Sequence, residues 1–259
     1  MEKLVNDLAA NDLAGFILVL ARITPLFVIA PLFSSAMIPP RARGVIAVGI
    51  GIGLTPIALQ GQHVPSDPLT LAGLVVQGML VGFAFSFSLA ILMAAIESAG
   101  GFIDVLSGFS YGNLINPMNG ESSAVIQRFY ALVGTMIFLV IGGVAWSLRG
   151  LQRTFELVPL TSAPRLNSLI AGAVHAFAGV FAAALEVAAP ILIALLITDV
   201  AFGIVSRVVP QLSVFVVGFP VKVAVTLLVV GASLPFTANW INEQLSVSVA
   251  SALGALKVG

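Results

Sequence analysis

Charged side chains embedded in apolar sequence are the residues of this chain that could do chemistry. They lie in or beside long apolar runs and are Arg22, Glu186, Asp199, Arg207 and Lys222. A charge in a bilayer is costly and usually faces a partner or a wet cavity, so these residues could form a proton or ion relay, or ion pairs and caps that fix packing. Because no series of Asp, Glu or His recurs at one-turn spacing, we favour the structural interpretation.

Patterns typical of catalysis, metal binding or nucleotide binding do not occur in the sequence. The chain has no Cys, and its two His residues, His63 and His175, are far apart. Gly49, Gly51 and Gly53 resemble part of a nucleotide loop, but no Lys follows them and no acidic residue lies at the expected distance. No nucleophile–base constellation is present. We therefore predict that the chain is not an enzyme and has no catalytic residues, cofactor or metal site.

Apolar helices must position these charges. The chain has 259 residues, of which 59% are hydrophobic and 8% are charged, whereas soluble domains have about 25% charged residues. This composition excludes a soluble globule and a disordered chain, and the net charge of zero gives no attraction to nucleic acid. The apolar runs lack the alternation of barrel strands. Because lipid offers no partner to free backbone groups, we predict an all-α integral membrane protein.

Six apolar runs are long enough, or nearly so, to span a bilayer, which takes about 20 residues. They are residues 13–33, 45–59, 69–96, 129–148, 169–197 and 212–236. Two of them, 69–96 and 169–197, are too long for one upright helix, and we expect them to be tilted or bent. Prolines inside the runs are expected to kink the helices. They are Pro25, Pro31, Pro190 and Pro220.

Arginine clusters give a membrane topology that does not close. Arg41 and Arg43 place the first connection in the cytoplasm. The cluster of Arg149, Arg153 and Arg165 places the connection after the fourth run there too. Three runs lie between these connections, and an odd number of crossings cannot return to the same side. Either one run is not a simple crossing, for example a bent hairpin in the third run, or the rule fails here.

Residues 100–129, between the third and fourth runs, are too polar to span and too apolar for a solvated loop. Glu97, Gly101, Asp104 and Gly108 recur at spacings of three or four and would share one helix face. A long loop with apolar tips is usually a lid, a gate or a binding loop. A loop resting at the lipid headgroups is the alternative. We call residues 107–122 the Gly-rich loop.

Two further patterns predict helix packing. Gly78 and Gly82 form a G-x-x-x-G step, which lets helices approach closely. Apolar residues recur three or four apart near the C-terminus and predict an amphipathic helix over residues 240–258, resting on the membrane or on a neighbour. These residues are Ile241, Leu245, Val249, Leu253 and Leu256.

The segment TDVAFGIVSRVVPQLSVFVVGFPVK, residues 198–222, resembles the signature of the FliR family, the R-type subunit of the flagellar protein export gate. The segments 22–43 and 153–160 are also similar to that family. The residues of the signature that match in order and spacing are Asp199, Gly203, Ser206, Arg207, Pro210, Gln211, Phe215, Gly218, Phe219, Pro220 and Lys222.

The resemblance implies a structural and gating subunit of the flagellar type III protein export channel, in the bacterial inner membrane at the flagellar basal body. The implied fold is a set of kinked helices and helical hairpins packed in a hetero-oligomeric export gate. The implied partners are FliP-type, FliQ-type, FlhB-type and FlhA-type subunits, unfolded flagellar export substrates and membrane lipid, without nucleic acid. Residues 1–259 would form one membrane domain, with a P-like part over about 1–195 and a Q-like part over about 196–259.

The resemblance also implies two sets of functional residues. The Gly-rich loop would plug the pore, because glycine supplies bends and the apolar side chains provide bulk against small ions. The plug residues are Gly108, Phe109, Ser110, Tyr111, Gly112, Asn113, Leu114, Ile115, Asn116, Pro117, Met118, Asn119 and Gly120. The residues implied to pack subunits together are Asp199, Arg207, Pro210, Gln211, Gly218, Phe219, Pro220 and Lys222.

Two positions depart from the family pattern, and two other functions stay open. Gly142-Gly143-Val144 stands where the family often has Asn-Gly-His, and Ser213 stands where it usually has Asn. One alternative is the equivalent subunit of a virulence-type III secretion system. The other belongs to a different class, a secondary transporter of a small solute whose broken helices form a midplane site.

Overall fold

The computed structural model describes residues 2–30, 32–34, 38–60, 62–65, 67–111, 124–209 and 214–256, with the side chains of all these except 2–10, 111, 214 and 215. The described residues form helices and no strand, which confirms the all-α prediction. The helices are α1 (Glu2–Ile29), α2 (Pro40–Leu59), α3 (Pro68–Ser107), α4 (Val125–Val140), α5 (Gly143–Leu157), α6 (Leu166–Val208) and α7 (Val214–Leu256), with a short 3-10 helix (Phe109–Tyr111) after α3.

Five helices of the described chain, α1, α2, α3, α6 and α7, are long and apolar enough to cross a membrane. Three of them are much longer than a bilayer requires. Helix α3 has 40 residues and α6 and α7 have 43 each, so they extend over about 60–65 Å, twice the roughly 30 Å of a hydrocarbon core. A bent hairpin in the third run is therefore wrong: α3 is continuous because no proline follows Pro68 within it.

Prolines do not end the long helices. Helix α1 continues through Pro25, α6 through Pro190, and α7 through Pro220. Each removes one backbone donor, but the rest of the hydrogen-bond ladder holds the helix together. Pro31 lies outside the described residues.

The fourth apolar run, residues 129–148, is broken into two helices, which meet the length and composition of a span only when taken together. Helices α4 and α5 are separated at Ile141 and Gly142 and bent by 69°. Gly142 has a φ of +75°, in the left-handed region that glycine adopts without steric cost. The glycine pair therefore ends one helix and starts the next.

The N-terminus of α3 is capped by Asp67. Its Oδ2 accepts hydrogen bonds from the backbone N–H of Thr70 (2.9 Å) and from the Thr70 hydroxyl (2.8 Å). These bonds stabilise the ionised carboxylate and lower the pKa of Asp67. An acidic N-cap also suits the positive end of the helix dipole.

The chain divides into two compact units. The first comprises Met1–Ile91, Gly142–Phe177 and Leu245–Gly259, and the second comprises Leu92–Ile141 and Ala178–Gln244. The division into a P-like part and a Q-like part near residue 195 stays a prediction.

In the first unit, α1 and α2 form an antiparallel hairpin. The Asn11 side chain donates to the Gln62 carbonyl (3.4 Å) and accepts from the Val64 N–H (2.8 Å). The Thr161 hydroxyl donates to Gln62 Oε1 (3.3 Å). The connection after α5 therefore lies beside residues 62–64, at the end of the hairpin opposite Arg41.

This arrangement corrects the placement of the second Arg cluster. Arg149 and Arg153 lie on α5, not in a loop. Arg22 of α1 binds the end of α5, and the connection after α5 lies beside residues 62–64. Only Arg165 follows α5 in the connection near residues 62–64. The conflict with Arg41 and Arg43 therefore rests on Arg165 alone.

Close packing explains the G-x-x-x-G step. A Cβ on Gly82 would run into the backbone carbonyl of Arg22, and one on Gly78 would lie 3.6 Å from the Leu18 carbonyl. The step thus brings α3 against α1 within the chain. Gly51 similarly packs on Phe16 and Leu20, while Gly49 and Gly53 have open space beside them.

The predicted C-terminal amphipathic helix is the last part of α7. Its five apolar residues are all buried, with exposed fractions between 0% for Ile241 and 8% for Leu253. Gly150 of α5 packs near Val249, and Gly172 of α6 packs near Ala255. The apolar stripe is therefore covered by the chain itself rather than by lipid or a neighbour.

Candidate functional site

The base of the Gly-rich loop lies in the second unit, where the end of α3 meets the start of α4. Asp104 is 1% exposed, and its carboxylate accepts two backbone hydrogen bonds from α4: Oδ1 from the Ile126 N–H (3.0 Å) and Oδ2 from the Gln127 N–H (2.8 Å). The N-cap of α4, Ala124, has no side chain that could do this. Asp104 therefore caps a helix that begins 21 residues later in the chain, and its negative charge suits the helix N-terminus.

Glycine allows the two helices to touch at this point. A Cβ on Gly100 would lie 2.6 Å from Gln127 Cα and 2.9 Å from the Ile126 carbonyl. One turn before Gly100, Glu97 Oε1 accepts a hydrogen bond from Gln127 Nε2 (3.1 Å). The predicted face of Glu97, Gly101 and Asp104 thus faces the first turn of α4. We call Glu97, Gly100, Asp104, Ile126 and Gln127 the clasp.

Lys222 of α7 holds the last turn of α3. Its Nζ forms an ion pair with Asp199 Oδ1 of α6 (2.5 Å) and donates to the Leu106 carbonyl (3.4 Å). A cation at a helix C-terminus is favourable because the last carbonyls lack partners within the helix. The two side chains are 24% and 44% exposed, so the pair is partly screened by solvent. Helices α3, α6 and α7 are thereby joined immediately before the Gly-rich loop.

The backbone leaves α3 at Gly108, whose φ of +91° lies in the left-handed region. The 3-10 helix of Phe109, Ser110 and Tyr111 follows. The remaining predicted plug residues, 112–120, lie outside the described residues.

The predicted subunit-packing residues fall into three groups. Asp199 and Lys222 form the ion pair above. Gly218 is buried, whereas Phe219 and Pro220 are exposed on α7. Arg207 is exposed and forms no hydrogen bond or ion pair with the described residues. Pro210 and Gln211 lie outside the described residues.

The remaining charges of the apolar runs support packing. Arg22 is 2% exposed, and its Nη1 donates to the carbonyls of Thr154 (3.1 Å) and Val158 (2.6 Å), while its guanidinium lies 4.7 Å from the centre of the Phe155 ring. Arg22 therefore caps the C-terminus of α5, which brings together the similar segments 22–43 and 153–160. Glu186 Oε2 accepts a hydrogen bond from Trp240 Nε1 (3.1 Å).

Sequence reasoning placed Asp104 on the correct helix face but missed its partners. The donors are backbone N–H groups, which every residue but proline carries, so no side chain marked them. Gln127 and Gly100 were also missed, and the only signal was the lack of a capping side chain before α4. Within the part of the chain that the structure describes, no three His, Asp or Glu side chains could hold a metal ion.

The fold and the composition define an all-helical integral membrane protein whose helices are tied together at the base of a Gly-rich loop. The chain belongs to the family of bacterial export proteins, family 1, whose model matches residues 13–247. It is 32% identical to the flagellar biosynthetic protein FliR of Bacillus subtilis, over 82% of this chain and 83% of the relative. Identity to FliR of Escherichia coli is 29%, over 88% and 87%. Identity to the surface presentation of antigens protein SpaR of Shigella flexneri is 26%, over 78% and 77%. The resemblance to the FliR family is confirmed.

Proposed function

We propose that the chain is a non-enzymatic structural and gating subunit of the flagellar type III protein export channel in the bacterial inner membrane. FliP-type and FliQ-type subunits surround it, FlhA-type and FlhB-type subunits adjoin it, and unfolded flagellar proteins pass the pore. Membership of the export family and similarity to FliR over most of the chain support this proposal.

The clasp is the observation that carries the gating role. A plug must move aside for a passing chain without separating the helices that hold it. Asp104 ties the end of α3 to the start of α4, on either side of the Gly-rich loop, and Lys222 holds the last turn of α3. Because each hydrogen bond to a charged group contributes roughly 1.5–3 kcal/mol, the base stays closed while the loop is displaced. Glycines within the loop allow it to be displaced with little backbone strain.

The surface of the long helices supports a position inside an assembly. Along α6, large apolar side chains recur three or four apart and remain exposed by half or more. They are Ile170, Val174, Phe177, Phe181 and Leu185. Helix α6 is about twice as long as a hydrocarbon core is thick, so lipid alone cannot cover such helices. Apolar surfaces of other subunits can cover them.

Sequence identity favours the flagellar branch over the virulence branch. Identity is 26–32% with the FliR relatives and 26% with the SpaR relatives. We expect this chain to restore flagellar export and motility in a cell that lacks its own R-type subunit. Restoration of needle-type secretion without motility would assign it to the virulence branch instead.

Co-purification tests membership of the channel. A tagged chain extracted in mild detergent should recover P-type and Q-type subunits, whereas a tagged membrane protein of another complex, expressed at the same level, should not. Recovery of neither subunit would contradict the proposal. Binding of a small solute by the isolated chain, dependent on Glu186 or Asp199, would favour a transporter.

A further inference from the structure

Helix α5 has one buried face and one polar outer face, which neither the clasp nor the proposed plug uses. The buried face contains Ser147, Leu151, Thr154 and Phe155. The outer face carries Trp146, Arg149, Arg153 and Glu156, all of them exposed. An amphipathic helix with Trp and Arg on its polar side is typical of the membrane interface, where the indole lies at headgroup level.

A cavity of about 330 Å³ opens on this outer face. Its walls include Trp146, Arg149, Arg153 and Glu156, and Gly150 and Val249 contribute apolar surface. The two Arg residues are four apart, so they are neighbours on the helix and repel each other. Neither forms an ion pair or hydrogen bond with the residues that the structure describes. Glu156, three residues after Arg153 on the same wall, offsets part of this repulsion, and an anion held between the two guanidinium groups would offset the rest.

The amphipathic character of α5 indicates which kind of anion fits between the two Arg residues. The Arg149 and Arg153 guanidinium groups and the Trp146 indole face outward together, because the opposite face of α5 is buried against the chain. Basic residues on an amphipathic helix attract anionic lipid headgroups at the membrane interface. Arginine binds phosphate through two parallel hydrogen bonds, and Trp146 can contact the glycerol and acyl region beside it.

We propose that Arg149, Arg153 and Trp146 bind the phosphate group of an anionic phospholipid in the α5 cavity. The same phosphate chemistry exists in free inorganic phosphate, but the exposed indole of Trp146 fits a lipid. The site is independent of the plug and of the identity of the partner subunits.

Lipid binding to the purified full-length chain in neutral detergent tests the proposal. Phosphatidylglycerol should bind more tightly than phosphatidylcholine. A basic residue near an anionic surface raises affinity about fivefold, so R153Q should weaken phosphatidylglycerol binding about fivefold and R149Q/R153Q roughly thirtyfold. The matched control R128Q removes one exposed Arg outside the cavity and should change binding by less than about twofold. R149K/R153K keeps the charge and should bind more tightly than R149Q/R153Q.

Three results would overturn the proposal. One is equal affinity of the wild type and R149Q/R153Q for phosphatidylglycerol, with unchanged helix content by circular dichroism. Another is inorganic phosphate stabilising the chain as strongly as phosphatidylglycerol, which would assign the site to the free ion. The third is binding of Arg149 and Arg153 to an acidic segment of a neighbouring subunit and not to lipid. If R149Q/R153Q does not fold, R153Q and R149K/R153K carry the test.

Discussion

A single buried carboxylate determines how the two helices around the Gly-rich loop are held. Asp104 satisfies two N–H groups at the start of α4 that otherwise have no partner. Most of its environment is protein, so solvent cannot replace the lost bonds. The residue therefore contributes both to stability and to keeping the loop base closed.

Substituting Asp104 should lower stability in proportion to the hydrogen bonds lost. We expect D104A to lose about 2 kcal/mol or more, because two donors are left unsatisfied, and D104N to lose less, because its carbonyl oxygen still accepts one bond. Thermal unfolding of the purified chain in mild detergent measures this. The control D12A changes an exposed Asp of α1 and should be nearly neutral. Equal midpoints for D104A and D12A would show that the clasp contributes nothing.

Two glycines of α3 give a matched test of helix packing. G82A should destabilise strongly, by roughly 2 kcal/mol or more, because its Cβ meets the Arg22 backbone, which cannot yield as a flexible side chain can. G73A lies on the same helix with no atom within 4 Å of the new Cβ, so it should stabilise by up to about 1 kcal/mol. Unfolding midpoints that move in the same direction for both variants would refute this account of the contact.

At the scale of elements, the break between α4 and α5 depends on backbone conformation. Gly142 has a φ of +75° and no atom close to where a Cβ would lie, so only backbone strain opposes a side chain at this position. G142A should cost about 1 kcal/mol, and G142N less, because Asn tolerates left-handed conformations better than Ala does. This fits the family pattern, which often has Asn at this position. Equal unfolding midpoints for G142A and G142N would contradict it.

Sequence predicted the helices better than the contacts between them. Long apolar runs identified α1, α2, α3, α6 and α7, because helices in lipid must satisfy their own backbone. The break at Gly142 was missed, because a glycine pair in an apolar run equally favours close packing. Glu97 and Asp104 were placed on one face by their spacing, but Gln127 and the N–H groups of α4 were not found, because spacing along one helix does not identify the partner helix.

At the scale of the whole molecule, the membrane topology rests on the α1–α2 hairpin. Residues 62–64 contact Asn11 and Thr161, so these connections lie at one end of the first unit and Arg41 lies at the other. The apparent conflict between Arg clusters disappears for Arg149 and Arg153, which belong to α5. Arg165 remains an exception to the positive-inside rule.

Labelling of single introduced cysteines tests this topology, because the chain has no Cys of its own that would react. H63C and T161C should react with an impermeant thiol reagent from the same side of the membrane, and R41C from the other, because α2 crosses between them. The unsubstituted chain is the control and should not react. Labelling of H63C and T161C from opposite sides would contradict the hairpin arrangement.

Ion conductance of the assembled channel tests the gating role most directly. Deleting residues 110–120 should make the membrane leak small ions while the P-type and Q-type subunits still co-purify, because the clasp outside the deletion holds α3 and α4. Replacing the same residues with a Gly-Ser segment of equal length should also leak, because it removes the apolar bulk but not the length. Assembled channels that carry the deletion and conduct no more than the wild type would contradict the central claim that the Gly-rich loop is the plug.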